Sequence, residues 1–191
     1  MLADFGADVV RIEPPQGAWI RTRPWLRGNR ASGDFQNINR NKRSMTLNLK
    51  RDGARDILMK LVSTADVLVE NWRPDVKHKF GLDYESLAAV NPRIILTSIS
   101  GFGQDGPYAK RPGFDQIIQG MGGLMSVTGH PDAGPVRAGL AVADMSAGLY
   151  AALGTLTARC SSARCPARAS GSCVAIACTQ IAMMDFGSPA T

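Results

Sequence analysis

The chain has 191 residues, of which 45% are hydrophobic and 20% charged, and its formal net charge is +6. This composition is typical of a globular protein and excludes an intrinsically disordered chain. No apolar run approaches the ~20 residues of a membrane helix, and the first residues lack the basic start of a secretory signal, so we expect no membrane partner.

The first part of the chain predicts two strands and one helix. Residues 8–13 form an apolar run that ends at two prolines, and residues 44–49 alternate, so each segment predicts a strand. Residues 16–40 are rich in Gly, Arg, Pro and Trp without a period, which predicts a long loop. Asp52 is expected to cap a helix. Its predicted apolar face comprises Ala54, Ile57, Leu58, Leu61 and Val62.

The rest of the chain continues the alternation of strands and helices. We expect strands at residues 66–70 and 93–99, a short helix over residues 84–90, and longer helices over residues 114–125 and 144–158. This order predicts an α/β fold with an open, parallel, Rossmann-like sheet flanked by helices. Ligands of such sheets bind in the loops that follow the strands.

Positive charge is concentrated in one stretch. Between Arg21 and Arg51 there are nine basic residues and a single acidic residue, Asp34. A solvated basic surface is one interpretation, and a site for the phosphates of a nucleic acid or a phosphorylated cofactor is the other. The aromatic residues of this stretch are not spaced like a stacking platform, so we expect no nucleic-acid partner.

All four cysteines lie near the end of the sequence, at residues 160, 165, 173 and 178. Their spacing matches no common zinc motif and no histidine is nearby, so we expect no metal site. The absence of cysteine from the first 159 residues indicates a reducing compartment, and we expect a cytoplasmic protein.

Six segments carry a family resemblance. They are LADFGADVVRIEP at residues 2–14, NRNKRS at 39–44, ADVLVENWRP at 65–74, NPRII at 91–95, SISGFGQDGPY at 98–108 and RPGFD at 111–115. With Asp144 beyond them, they resemble the N-terminal part of the class III CoA-transferases. That family includes formyl-CoA transferase and the carnitine CoA-transferases, and the α-methylacyl-CoA racemases belong to the same superfamily.

The resemblance implies an enzyme that moves CoA from an acyl-CoA to a small carboxylic acid. It implies Asp144 as the nucleophile, acting through aspartyl anhydride and thioester intermediates. Coenzyme A or acyl-CoA would be a substrate, and no permanently bound cofactor is implied. The alternative is that Asp144 only caps a helix rich in small residues.

The resemblance and the positive charge together indicate a set of CoA contacts. By resemblance, Leu47, Leu49 and Lys50 are expected near the adenine end, residues 71–73 beside the pantetheine and phosphates, and Lys79 at a phosphate. For each basic residue ordinary surface charge is the alternative, and Trp72 could be a core aromatic. The candidates are Arg40, Lys42, Arg43, Leu47, Leu49, Lys50, Asn71, Trp72, Arg73, Lys79 and Phe114.

Phe114 separates two branches of the superfamily. Racemases tend to carry histidine at this position, between Gly113 and Asp115, as a second acid–base group. Phenylalanine cannot exchange a proton, so a transferase is favoured over a racemase-like enzyme. A non-catalytic fragment that binds CoA or another polyanion is the remaining alternative.

The sequence also departs from the family. We expect residues 1–158 to be an incomplete large domain that lacks its first strand, and residues 159–191 to be a divergent tail. A reading-frame shift would explain residues 160–178. The family forms an interlocked homodimer at full length, and we expect this chain alone to be inactive.

Overall fold

The computed structural model describes residues 1–22, 32–164 and 173–177. The chain forms two compact units, Met1–Leu58 and Met59–Thr191. Both contain short parallel β-sheets with helices beside them, so the predicted α/β class is confirmed. In the described ranges, no helix combines the length and apolarity that crossing a membrane requires.

The first unit contains one parallel strand pair. Its elements are a 3₁₀ helix at Leu2–Phe5, strand β1 (Val9–Glu13), a 3₁₀ helix at Trp19–Thr22, helix α1 (Gly33–Asn39) and strand β2 (Lys42–Thr46). Val9 lies opposite Lys42 and Glu13 lies opposite Thr46. The strand predicted at residues 8–13 is confirmed, whereas β2 begins and ends earlier than the alternation at residues 44–49 suggests.

Helix α1 lies inside the segment for which the sequence predicts a loop, so that prediction is wrong for residues 33–39. The hydroxyl of Ser32 caps the helix by accepting a hydrogen bond from the amide of Phe35 at 3.2 Å. The same hydroxyl donates to the carbonyl of Ile20 at 2.5 Å. Because the hydroxyl both accepts and donates, it connects the start of α1 to the chain before it. These contacts stabilise the helix although its sequence shows no helical pattern of apolar residues.

The second unit is built around a three-stranded parallel sheet. Helix α2 (Ala54–Val62) begins in the first unit and ends in the second. The elements that follow it are strand β3 (Val67–Glu70), helices α3 (Pro74–Lys79) and α4 (Tyr84–Val90), strand β4 (Ile95–Ser100), helix α5 (Asp115–Met121), a 3₁₀ helix at Leu124–Val127, helix α6 (Val142–Arg164) and strand β5 (Cys173–Ala177). The order is β3-β4-β5, with Val67 opposite Ile95 and Leu96 opposite Cys173.

Strand β4 forms the centre of the second unit. Ile95 and Leu96 are buried there, as is Ile94 just before the strand, and a strand between two parallel neighbours requires such burial. The buried hydroxyls of Thr97 and Thr155 lie 2.7 Å apart and join β4 to α6. Pairing the hydroxyls satisfies groups that would otherwise be costly to bury.

Several helices differ from their predicted form. Gly53, with a φ of 76°, separates Asp52 from α2, so Asp52 does not begin the helix. Ile57 is exposed, unlike the other residues predicted on that face. Helix α3 and strand β5 were not predicted at all. Helix α6 is longer than residues 144–158 at both ends, and α4 matches its prediction.

Candidate active site

Asp144 lies in the first turn of α6. The helix begins at Val142, so Asp144 is inside it and does not occupy the capping position that precedes a helix. Its side chain is exposed. An aspartate at this place interacts favourably with the positive end of the helix dipole and leaves its carboxylate open to an incoming group.

The side chain of Asp115 holds the start of that helix. Its Oδ1 atom accepts hydrogen bonds from the backbone amides of Ala143 at 2.9 Å and Asp144 at 3.3 Å. These amides belong to the first turn of α6, where no carbonyl of the same helix is available to them. Asp115 itself is the first residue of α5, so one carboxylate fixes α6 relative to α5.

The environment disfavours the charged form of Asp144. Desolvation by the surrounding chain, and then the negative charge of Asp115, raises the pKa of the Asp144 carboxyl above its usual value of 3.8. The surroundings therefore stabilise the negative charge of the Asp144 carboxylate poorly. This increases its basicity and its tendency to form a bond with an electrophile.

Gln119 fixes the chain that leads into α6. Its side chain is fully buried, its Nε2 atom donates to Asp115 Oδ2 at 2.6 Å and to the Leu140 carbonyl at 3.1 Å, and its Oε1 atom accepts from the Ala138 amide at 2.9 Å. Below it, the core residues Ile118, Ala143 and Ala147 pack together. The position of Asp144 thus depends on two side chains of α5 that the sequence did not single out.

Two glycines allow the loops beside this site to approach each other. A Cβ atom built on Gly101 would lie 2.5 Å from the Cα of Gly113, and one built on Gly113 would lie 2.4 Å from the Cα of Gly101. Real Cβ atoms do not come so close to a backbone atom. The contact explains why the SISGFG and RPGFD segments each need a glycine at this point.

Phe114 follows this contact directly and precedes Asp115. Its ring is 69% exposed, so it is not a core residue of the second unit. The structure thus places Phe114 next to the residue that holds the Asp144 turn.

The candidate contacts at residues 71–79 follow β3 and extend along α3. Asn71, Arg73 and Lys79 are exposed, and Arg73 forms an ion pair with Asp75 at 3.4 Å. Trp72 is half-buried, with its ring centroid 5.6 Å from that of Phe80. Trp72 therefore has packing contacts and an accessible part as well.

A buried lysine lies behind these residues. Lys77 of α3 donates to Ser98 Oγ at 3.1 Å and to Gln104 Oε1, and its ammonium is 3.7 Å from Glu70 Oε1. The other oxygen of Glu70 accepts the amide of Trp72 at 2.6 Å. Sequence reasoning missed this cluster, because a lysine on a short polar helix is normally exposed.

In the first unit, the candidate basic residues already have partners. Arg40 binds both oxygens of Asp4, at 3.0 and 3.3 Å, and Arg43 binds Asp8 at 2.9 Å. Lys42 donates to the Ile38 carbonyl at 2.9 Å, and burial followed by the nearby charge of Arg11 lowers its pKa. The sequence count suggested an unopposed basic stretch, but the fold brings acidic residues from β1 and the start of the chain to it.

Glu13 organises the centre of the first unit. Its buried carboxylate accepts hydrogen bonds from Arg21 at 2.8 and 2.6 Å and from Ser44 at 3.0 Å. The hydrogen bond from Arg21, partly opposed by desolvation, lowers the pKa of Glu13 to about 2. Arg21 also stacks over the ring of Phe35, 3.7 Å from its centroid. Arg21 is thus part of the structural core of this unit.

The remaining candidates of the first unit follow β2. Leu47 and Leu49 are half-buried and Lys50 is exposed. The amide of Leu47 donates to the Glu13 carbonyl at 2.8 Å, which extends the contact between β1 and the chain after β2. Neither Lys50 nor Arg51 forms an ion pair with another described residue. Arg23, Arg27 and Arg30 lie outside the described residues.

Metal-binding groups do not converge in the part of the chain that the structure describes. No three or more His, Cys, Asp or Glu side chains there are close enough to hold a metal ion together. Cys160 is exposed and unpaired with another described cysteine. Cys165 and Cys178 lie outside the described ranges.

Comparison with known proteins identifies the family. A protein from Agrobacterium fabrum named succinate–glutarate CoA-transferase is 48% identical over 158 residues, which cover 78% of this chain and 39% of that protein. An acetyl-CoA:oxalate CoA-transferase of Acetobacter aceti is 44% identical over 160 residues, covering 83% and 41%. The chain thus spans about two fifths of these curated relatives.

A crystal structure of a CAIB/BAIF family protein from Brucella suis has the same fold. It superposes with a TM-score of 0.89 at 41% sequence identity, covering 95% of this chain and 48% of that one. The family model for CoA-transferase family III matches residues 1–187, nearly the whole sequence. The chain belongs to CoA-transferase family III.

Proposed function

We propose that this chain supplies the nucleophile and part of the CoA site of an enzyme that transfers CoA from an acyl-CoA to a small carboxylic acid. One observation carries the proposal: in a family III chain, Asp144 is an exposed carboxylate with a raised pKa, held in the first turn of α6 by Asp115. The names of the relatives, which mention succinate, glutarate and oxalate, support a small acid as acceptor.

In the proposed chemistry the Asp144 carboxylate attacks once, and the aspartyl carbonyl is then attacked twice. It attacks the thioester carbonyl of the acyl-CoA, so that an aspartyl–acyl anhydride forms and CoA leaves as a thiolate. The thiolate then attacks the aspartyl carbonyl, which gives an aspartyl–CoA thioester and releases the donor acid. The acceptor carboxylate attacks this thioester to form a new anhydride, and the thiolate completes the transfer by attacking the acceptor acyl group and restoring Asp144.

Asp115 has a proposed role in these steps that follows from its contacts. Its carboxylate fixes the backbone of Asp144, and its charge keeps the attacking carboxylate reactive. The small residues Ala143 and Ala147 are buried beneath the turn, whereas Gly148, one helical turn after Asp144, leaves open space. A bulky thioester therefore meets no side chain at that position.

We propose that the CoA contacts lie at two sets of residues. Residues 71–73, Lys79 and Phe114 would contact the pantetheine and phosphates from the second unit. In the first unit, Leu47 and Leu49 would contact the adenine, and Lys50 the nearby 3′-phosphate. The ion pairs of Arg40 and Arg43 are exposed, and such pairs contribute about 0–1 kcal/mol, so a phosphate can replace the aspartate at small cost.

We propose further that transfer needs more than this chain. Asp144 is exposed, and an anhydride open to water hydrolyses before an acceptor acid reaches it. We propose that the full-length protein forms an interlocked homodimer, and that this chain divides into a large-domain fragment at residues 1–158 and a tail at residues 159–191. Strand β5, which pairs with β4, belongs to that tail.

Trapping the intermediate tests the proposal. The protein is incubated with succinyl-CoA or acetyl-CoA and then with hydroxylamine, which converts an aspartyl anhydride or thioester to a hydroxamate. We expect the peptide that contains Asp144 to gain this mass, and Asp144→Asn to abolish it. Asp132→Asn, in an exposed loop, is the matched control. An unchanged yield in Asp144→Asn, or CoA binding with no adduct, would favour the non-catalytic alternative.

A further inference from the structure

Lys77 is buried at the edge of the sheet where the proposed CoA contacts begin. Its side chain is 8% exposed, and it lies among the ends of β3 and β4, which point in the same direction because the strands are parallel. A buried ammonium needs acceptors for its three protons. Lys77 donates hydrogen bonds to Ser98 and Gln104, and the carboxylate of Glu70, 3.7 Å away, compensates its charge without a hydrogen bond.

Glu70 links this lysine to the turn at residues 71–73. One carboxylate oxygen faces Lys77 and has no hydrogen-bonding partner among the described residues, so the ammonium is its main compensation. The other oxygen accepts the amide of Trp72 at 2.6 Å, so the Glu70 side chain spans Asn71 and contacts the backbone after it. The direction of the Glu70 carboxylate therefore determines the backbone geometry of the turn.

Gln104 links the same lysine to the loop after β4. Its Oε1 atom accepts from Lys77 and its Nε2 atom donates to Ser100 Oγ at 3.0 Å, which fixes the orientation of the amide. This loop includes Gly101, which contacts Gly113 just before Phe114. One ammonium thus contacts both the residue before the candidate contacts at residues 71–73 and the loop at residues 101–104, which packs against the glycine before Phe114.

A buried ion pair adds little to stability compared with well-packed apolar side chains, but it imposes fixed directions on its partners. We propose that Lys77 is a positioning residue that arranges the turn at residues 71–73 and the loop at residues 101–104 for CoA. This inference rests on the proposed function, and it adds a residue that contacts no ligand to that site.

The test compares Glu70→Gln, Lys77→Met and the double variant that carries both substitutions. Lys77→Met alone leaves Glu70 buried without compensation and can fail to fold. The double variant removes both charges, and the carboxamide that Glu70→Gln introduces still offers an oxygen to the Trp72 amide, as it does in Glu70→Gln alone. Lys60→Met, at an exposed position of α2, is the matched lysine control.

The first measurement needs no ligand. Hydrogen exchange of the Trp72 amide is expected to be about tenfold faster in the double variant than in Glu70→Gln, while amides of α4 exchange at the same rate in both. Equal exchange at Trp72 would overturn the positioning role.

The second measurement is CoA binding by calorimetry. We expect the double variant to bind CoA about tenfold more weakly than Glu70→Gln and Lys60→Met. Equal affinity would show that Lys77 is only structural. If the unaltered protein does not bind CoA, the proposed CoA site is wrong, while the exchange of the Trp72 amide still decides whether Lys77 positions the turn.

Discussion

Asp115 acts on Asp144 in two opposite ways. Its carboxylate accepts a hydrogen bond from the Asp144 backbone at 3.3 Å, which holds the residue in place, and its negative charge raises the pKa of the Asp144 side chain. The same contact therefore stabilises the helix turn and destabilises the charge that the turn carries. Such a conflict is common where a group is kept reactive.

Asp115→Asn separates these two effects. Asparagine still offers an oxygen to the amides of Ala143 and Asp144, while its amide nitrogen cannot accept the hydrogen bond from Gln119. The charge is gone, so the pKa of Asp144 is expected to fall toward 3.8. Desolvation of the Asp144 carboxyl is the larger cause of its raised pKa and persists in the variant, so the pKa is expected to stay above 3.8. Carbon-detected NMR titration of the Asp144 carboxyl measures the shift. Asp132→Asn is the control, and an unchanged pKa in Asp115→Asn would contradict the electrostatic interpretation.

Asp144→Asn is expected to make the protein more stable at pH 7. The folded pKa of Asp144 is raised, so the unfolded chain ionises first, and stability falls as pH rises through the window that starts at 3.8. Above that pH range the ionised Asp144 side chain lowers the stability of the folded protein by a constant amount. The neutral asparagine side chain of the variant removes this loss. Below pH 3.8 both side chains are neutral and the difference should vanish. Thermal unfolding at pH 3 and pH 7 measures this, and a variant that is less stable at pH 7 would disprove it.

Glu13→Gln is expected to remove an acid-sensitive part of the stability. The pKa of Glu13 is lowered from 4.5 to about 2, so its contribution is complete above pH 4.5 and is lost as pH falls toward 2. Leaving Arg21 without its charge partner should lower the free energy of unfolding at pH 7 by about 3 kcal/mol. Denaturant unfolding between pH 2 and pH 7 tests this. The exposed Glu85→Gln should leave the curve unchanged.

Gly101→Ala and Gly113→Ala are each expected to destabilise the second unit. The added methyl would meet backbone atoms at about 2.5 Å, so the loops must separate, which costs about 1–3 kcal/mol. Gly139→Ala meets nothing within 4 Å and is the matched control. Thermal unfolding compares the three proteins. If Gly101→Ala unfolds at the same temperature as Gly139→Ala, the close approach of the loops is wrong.

Lys50→Met is expected to weaken CoA binding through one phosphate. Lys50 is exposed and forms no ion pair with a described residue, whereas Arg40 must release Asp4 first. The loss should be about threefold to tenfold for CoA, smaller for dephospho-CoA, and reduced at high salt. Calorimetric titration with both compounds measures it. Equal losses for the two compounds would mean that Lys50 does not contact the 3′-phosphate.

Local patterns predicted the elements that local contacts determine. Strands β1, β3 and β4 were predictable from their own apolar residues. Helix α4 was also predictable from its own sequence, and its Asp83 side chain caps it by accepting a hydrogen bond from the Ser86 amide. Helix α1 was not predictable in this way, because the Ser32 hydroxyl that caps it also donates to the Ile20 carbonyl, twelve residues away. Strand β5 forms by pairing with β4, which no pattern within it reveals.

The candidate site was predictable where family segments mark it and not where distant residues meet. Residues 71–73 lie in one of the six family segments, and Asp144 follows them along the chain. The partners of Arg40 and Arg43 are 36 and 35 residues away, and they arrive through the parallel pairing of β1 with β2. Lys77 was missed for a related reason: its acceptors on β3, on β4 and in the following loop become neighbours only when the sheet forms.

The buried side chain of Gln119 has a practical consequence for protein engineering. Its hydrogen bonds connect residues 138 and 140 to α5. The chain just before α6 is therefore held in place independently of the exposed segment at residues 129–137. The entropy of closing a loop grows only slowly with its length. A peptide label or a reporter domain can therefore be inserted within residues 131–135 without displacing Asp144.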